Sequence, residues 1–159
     1  MSTPAIADLE VGTTLPPLSV RFTRTTLVRY AGASTDFNPI HHSDHFAAQA
    51  GLPGVIAHGL LTMGTALRVV TDWVGDPTRV RSYFVRFTKP VVVPDTADGV
   101  EVVFTAQVTG IEGTVVTLAI EAVSAELDTS GGDDPPEPPR KDVKVLGAAR
   151  VEVDLGEPG

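Results

Sequence analysis

A carboxylate and an imidazole stand five residues apart, at Asp36 and His41, in the stretch Asp36-Phe37-Asn38-Pro39-Ile40-His41. A neutral imidazole takes up a proton near neutral pH, and a nearby carboxylate orients a water or a hydroxyl. Together they supply a general acid and a general base without any cofactor. Pro39 lacks a backbone donor and disfavours the helical conformation at Asn38, itself a good turn residue. The pair is therefore expected on a tight irregular loop, a common place for chemical groups. The plainer reading is that Asp36 caps the loop and His41 is a satisfied loop histidine, since structural ion pairs are common.

A second group stands at Ala57-His58-Gly59-Leu60, which opens an apolar segment running to residue 74. A helix N-terminus presents free N–H groups and the positive end of a dipole. Glycine lets a ligand approach the backbone closely. A substrate carbonyl placed at Gly59 would be polarised as in an oxyanion hole. The alternative is that Gly59 only serves helix–sheet packing. His41, His42, Asp44 and His45 also invite a metal reading, because His41 and His45 share an i, i+4 spacing. Against it, Pro39 and a Ser43 cap put His41 before the helix, and no glutamate lies between the two histidines. His42 and His45 are expected on the surface.

The elements that must carry these groups follow from periodicity. Leu18-Ser19-Val20-Arg21-Phe22 alternates as a half-buried strand does. Thr25 or Thr26 is the expected cap of a short helix that buries Leu27, Tyr30 and Ala31. Ser43 is the expected cap of a second helix over 45–50, stopped by Gly51. The segment over 57–74 is apolar on nearly all sides, which predicts a largely buried helix covered by a sheet. Its charges, Arg68 and Asp72, are i, i+4 neighbours, and Gly75-Asp76-Pro77 ends it. Strands are expected over 80–93, 100–109, 114–125 and 143–153, with a hairpin connection at 110–113. Residues 128–142, rich in Asp, Gly and Pro, have the composition of a solvated acidic loop. The pattern is α+β: a helix laid against one face of an antiparallel sheet.

The totals bound the function classes. A chain of 159 residues suits a single domain with one core. A net charge of −8 argues against nucleic acid and against anionic membranes. No stretch reads as a clean membrane span. Without cysteine there is no disulfide framework and no thiolate nucleophile. That agrees with a reducing cytosol, and residues 1–12 carry no secretory pattern, so a cytoplasmic location is expected.

Tyr30-Ala-Gly-Ala-Ser-Thr-Asp-Phe-Asn-Pro-Ile-His41, followed by Gly51 and Ile56-Ala-His-Gly-Leu-Leu61, closely resembles the hydratase motif of the MaoC-like, (R)-specific enoyl-thioester hydratases. Val85-Arg-Phe-Thr-Lys-Pro-Val91 resembles that family's strand after the central helix. The match runs over about residues 11–153. Gly75-Asp76-Pro77 and the length look most like one branch, the catalytic subunit of the mycolic-acid-pathway (3R)-hydroxyacyl-ACP dehydratase. The resemblance implies a hot-dog fold, an antiparallel sheet wrapped around a long central helix. It also implies that two such domains pair their sheets, as a homodimer or with a sister subunit.

Carried over by residue, the resemblance makes Asp36 and His41 the catalytic pair. Asn38 becomes a residue shaping their loop, and Gly59 the backbone donor to the thioester carbonyl. His58 matches a loop histidine read as structural. The implied reaction is reversible dehydration of (3R)-hydroxyacyl thioesters to trans-2-enoyl thioesters. It would need no cofactor, the acyl group arriving on CoA or an acyl carrier protein. Thr35 departs from the family's usual glycine, and Leu67 stands where many members carry a serine bonded to the aspartate. Arg79, Arg81, Arg86 and Lys89 form a basic cluster that suits a phosphate or an acidic carrier, or else a solvated strand face. The competing function is a non-catalytic subunit that only holds the acyl chain. Retention of both Asp36 and His41 argues for the catalytic one.

Overall fold

Alternation builds the sheet. Val100, Val102, Phe104, Ala106 and Val108 are buried on one strand while the residues between them face outward. Burying each of the valines and the phenylalanine contributes about 1.5–3 kcal/mol, which fixes the register, because a one-residue slip would expose them all. In this computed structural model residues 4–125 and 142–156 are described. Their order is β1 (Leu18–Phe22), α1 (Arg24–Ser34), α2 (Asp44–Gln49), α3 (Gly59–Val74), β2 (Val80–Phe87), β3 (Val100–Glu112), β4 (Val115–Ala125) and β5 (Asp142–Asp154). The strands form one sheet in the order β1-β3-β4-β5-β2, with every pair antiparallel.

Helix α3 lies on this sheet and packs against β2, β3 and β4. It is less enclosed than the sequence predicts. Thr62, Thr65, Ala66, Val69, Val70 and Val74 are buried, a stripe at helical spacing. Leu60, Gly64, Arg68 and Asp72 form an exposed stripe on the other side. The sheet covers one face only, and Arg68 and Asp72 pair there at 3.4 Å. Gly75 ends the helix in the left-handed region (φ 75°). The Tyr83 hydroxyl of β2 donates to the Met63 carbonyl at 3.0 Å and ties the strand to the middle of the helix.

Local chemistry shifts several boundaries. Helix α1 starts one turn earlier than expected, because Thr23 and Thr26 make a reciprocal capping box. The expected strand over 80–93 ends at Phe87, as Pro90 cannot donate to a ladder. The chain then returns to the core through the bridge between Ile56 and Val92. The β3–β4 turn centres on Gly113 (φ 60°), whereas Gly110 sits inside β3 at a register shift. The expected acidic loop over 128–142 lies outside the described residues except for Asp142, which opens β5. No described helix is long and apolar enough to cross a membrane.

Candidate active site

The loop after α1 is held by a relay of short side chains. Thr35 takes the left-handed conformation (φ 60°) and turns the chain out of the helix. The Asp36 N–H donates to Ser34 Oγ at 3.3 Å. Asp36 Oδ1 accepts the Asn38 N–H at 3.2 Å, and Asn38 Oδ1 accepts the Ile40 N–H at 3.2 Å. These are successive turns of the kind Asx residues make with backbone two residues on. Pro39–His41 forms one 3-10 turn, with Asn38 as its cap. Asp36 is exposed, while His41 is buried at its end.

His41 is fixed by Ile56. Its Nδ1–H donates to the Ile56 carbonyl at 2.8 Å. A carbonyl only accepts, so Nε2 carries the basic lone pair. The Ile56 N–H in turn donates to the Ile40 carbonyl at 3.3 Å. Ala57 N–H to Val91 carbonyl and Val93 N–H to Val55 carbonyl, both 2.8 Å, lock residues 55–57 against 91–93.

His58 caps α3 and is 1% exposed. Its ring stacks on His41, with centroids 3.8 Å apart and planes 25° apart. The Tyr30 ring lies 4.9 Å away, tilted by 59°. His58 Nε2–H donates to the Asp36 carbonyl at 3.1 Å. Its Nδ1 is buried with no hydrogen-bond partner among the described residues. Burial pushes the His58 imidazole below its usual value, although the bond to the Asp36 carbonyl pulls the other way. The ring is neutral at pH 7.

An Asp36 carboxylate oxygen and one ring nitrogen each from His41 and His58 lie within 4.8 Å of one another. The group is a poor chelate. In stacked imidazoles the in-plane lone pairs run side by side and do not converge on a tetrahedral centre. His42 and His45, weighed as metal ligands but expected on the surface, lie exposed there.

A pocket of about 300 Å³ opens beside His41. Gly59, Thr62, Phe87 and Lys89 line it, with Val145 and Leu146 of β5 behind. Gly59 is the first residue of α3, so its N–H points out of the helix end. The pocket therefore brings together His41 and Gly59, with Asp36 on its loop beside them. Leu67 is partly buried against the core, and Asp36 takes its hydrogen bond from Asn38.

The basic cluster separates. Arg81 pairs with Asp154. Arg79 donates to the Asp154 carbonyl at 3.1 Å and lies 3.8 Å from Asp76. Arg86 is exposed on β2 and does not line the pocket. Lys89 alone of the four reaches it. Sequence reasoning missed Thr62 and Phe87. A threonine on the buried face of an apolar helix, one turn beyond Gly59, was the available signal for the first. Phe87 gave none, since an aromatic residue at a strand end is ordinary.

The family model of the MaoC like domain matches residues 9–124. A 3-hydroxyacyl-thioester dehydratase X of Mycobacterium tuberculosis is 42% identical over 83 residues, covering 52% of this chain and 29% of its own. The 3-oxo-4,17-pregnadiene-20-carboxyl-CoA hydratase beta subunit of the same organism is 30% identical over 110 residues, covering 69% of this chain and 81% of its own. The chain spans only 4% of the first fungal fatty acid synthase beta subunit it matches. Among solved structures, a MaoC-like dehydratase superposes with a TM-score of 0.81 at 33% identity, over 98% of this chain and 43% of its own. The ChsH1-ChsH2 complex from Mycobacterium tuberculosis gives 0.66 at 25%, over 91% and 97%.

Proposed function

The chain belongs to the MaoC-like domain family, and from that premise we propose that it interconverts (3R)-hydroxyacyl and trans-2-enoyl thioesters by loss and addition of water. The observation that carries this reading is a pocket lined by His41 and the Gly59 helix end, with an Asp36 carboxylate oxygen within 4.8 Å of a His41 ring nitrogen. The chemistry asks for those three parts. Removing the α-proton of a thioester builds negative charge on the carbonyl oxygen. The Gly59 N–H and the α3 dipole stabilise it.

Asp36 and His41 Nε2 bracket the water. In hydration its oxygen attacks the β-carbon, the pair takes up the released proton, and a proton is returned to the α-carbon. Dehydration runs the same steps backwards. Acid–base assistance of this kind contributes about 10²–10⁴-fold. No resident cofactor or metal is required, because the thioester itself makes the α-proton removable. Asn38 holds the loop, and Lys89 at the pocket lip receives a phosphate of CoA or of a carrier arm. Such thioesters are made and used inside the cell, in fatty-acid metabolism, which favours the cytoplasm. The Gly75-Asp76-Pro77 motif favours the branch acting on mycolic-acid precursors.

The protein works paired with a second hot-dog domain. Strand β2 is an edge of the sheet, with Phe84 and Phe87 exposed along it and Leu60 exposed on α3. An unpaired apolar edge invites another strand. Loss of enoyl absorbance on mixing the protein with crotonyl-CoA and with longer trans-2-enoyl thioesters tests the activity. It should be measured alone and with candidate sister subunits. No rate in any pairing would favour a subunit that only holds the acyl chain.

A further inference from the structure

We propose that His58 is a positioning residue whose single ring sets both members of the catalytic pair. One edge of the ring holds Asp36, through the 3.1 Å hydrogen bond to its carbonyl. One face holds His41, through the 3.8 Å stack. Asp36 and His41 share a loop through Asn38, whose N–H donates to Asp36 Oδ1 and whose carbonyl accepts the His41 N–H at 3.1 Å, but the His41 ring itself is held from elsewhere, by the Ile56 carbonyl. The His58 ring touches both.

The choice of residue argues for this double duty. Among the described residues nothing bonds the buried Nδ1, an arrangement that is costly and uncommon. A side chain serving packing alone would be apolar, and one serving the hydrogen bond alone could be an amide. Only histidine offers a flat face and an in-plane donor in so small a ring. The groups around it are Tyr30, Asp36, His41 and His42. A charged His58 would set a cation 3.8 Å from a ring that must itself take up a proton. Burial keeps the plate neutral.

This rests on the hydratase reading, so the test has a second arm free of it. In the full chain, His58→Phe keeps the face, His58→Gln keeps the donor and His58→Ala keeps neither. With a trans-2-enoyl thioester, kcat should fall about 10-fold in the first two and about 100-fold in the third, as misplacement near 1 Å does. KM should stay within about 3-fold, and the Phe and Gln variants should melt cooperatively close to the wild type. A kcat within about two-fold of wild type for a folded His58→Ala would overturn the proposal. So would Phe and Gln variants whose losses track a collapse of the fold. The second arm is NMR of the imidazoles. The His41 Hε1 signal should carry an upfield ring-current shift that His58→Phe keeps and His58→Gln removes. A His41 signal indifferent to both overturns the proposal whether or not the wild type hydrates any thioester. Absence of wild-type activity with the shifts as expected would sink the hydratase reading and leave the positioning geometry standing.

Discussion

The Phe87 ring lies across the first residue of α3, so that a Cβ built on Gly59 would stand 3.2–3.5 Å from three of its carbons. That spacing is tight yet not forbidding, because Phe87 is half exposed and can give way. Alanine also loses less backbone freedom on folding than glycine, by about 0.4–1 kcal/mol at a compatible position. Gly59→Ala should therefore fold with near-normal stability. Its methyl would occupy the approach to the helix end, and kcat/KM for enoyl thioesters should drop by about 10²-fold. Parallel melting curves and kinetics check both halves, and unchanged kinetics would remove Gly59 from the carbonyl site.

Asp36→Asn and His41→Ala should each lose about 10²–10⁴-fold in hydration rate. Asp36 is exposed, so its amide analogue should melt like the wild type. His41 gives up one hydrogen bond to Ile56 and the stack on His58, which should lower stability by about 1–3 kcal/mol. Near-normal rates in either variant would sink the assignment.

Arg24 braces the site from behind. Its guanidinium makes a two-pronged contact with Asp44 at 2.8 and 3.1 Å, and Nε donates to the Val93 carbonyl at 2.7 Å. The bond from Arg24 holds the Asp44 carboxyl below its ordinary value. Arg24→Met should cost about 1–3 kcal/mol by denaturant unfolding, because the Val93 carbonyl is left partly buried. The Asp44 part of this stabilisation is present above about pH 4 and lost as pH falls below it. Acid unfolding of the variant should therefore be less steep there.

Two groups give the stability curve opposite shoulders. His58 has a lowered value, with burial the main cause. Below about pH 6.5 the unfolded chain binds a proton at this ring that the folded chain refuses. Stability should fall as pH drops through that value, and His58→Gln should flatten the slope. Burial pushes the Tyr83 hydroxyl up to about 12. Its contribution is full below about pH 10 and is lost as pH rises toward about 12. Tyr83→Phe should remove that alkaline loss. Unfolding midpoints across pH check both, and identical slopes in the variants would contradict them.

Lys89 lines the pocket, whereas Arg79 and Arg81 are engaged at the far end of β2. Lys89→Gln should raise KM for CoA or carrier-bound substrates about 3- to 10-fold, and less so at high salt. A truncated thioester without phosphate should show no such change. Arg81→Gln should leave both substrates unaffected. Equal effects of Lys89→Gln on both substrates would assign the lysine to the acyl part of the pocket.

Much of this protein was legible before any fold was in view. Alternation marked the strands, Gly75 marked the end of α3, and Ser43 capped its helix as expected. The Asp36–His41 loop was readable because its shape is local: Asn38 and Pro39 set it with bonds two to four residues long. The resemblance of the two motifs to a family supplied the chemistry of the pair.

What the chain order could not carry were contacts between distant segments. The stack of His41 on His58 joins residues 17 apart in sequence, and it exists because Ile56 is clamped between Ile40 and Val92. The four basic residues looked like one cluster, and the strand partner divided them, since Asp154 of β5 arrives beside Arg79 and Arg81 and leaves Lys89 at the pocket. Local residue types determined the Asp36–His41 loop and the start of α3 at Gly59. Only the antiparallel register and the packing of α3 on one face of the sheet decided which side chains meet there, because that packing depends on where the whole apolar stripe comes to rest.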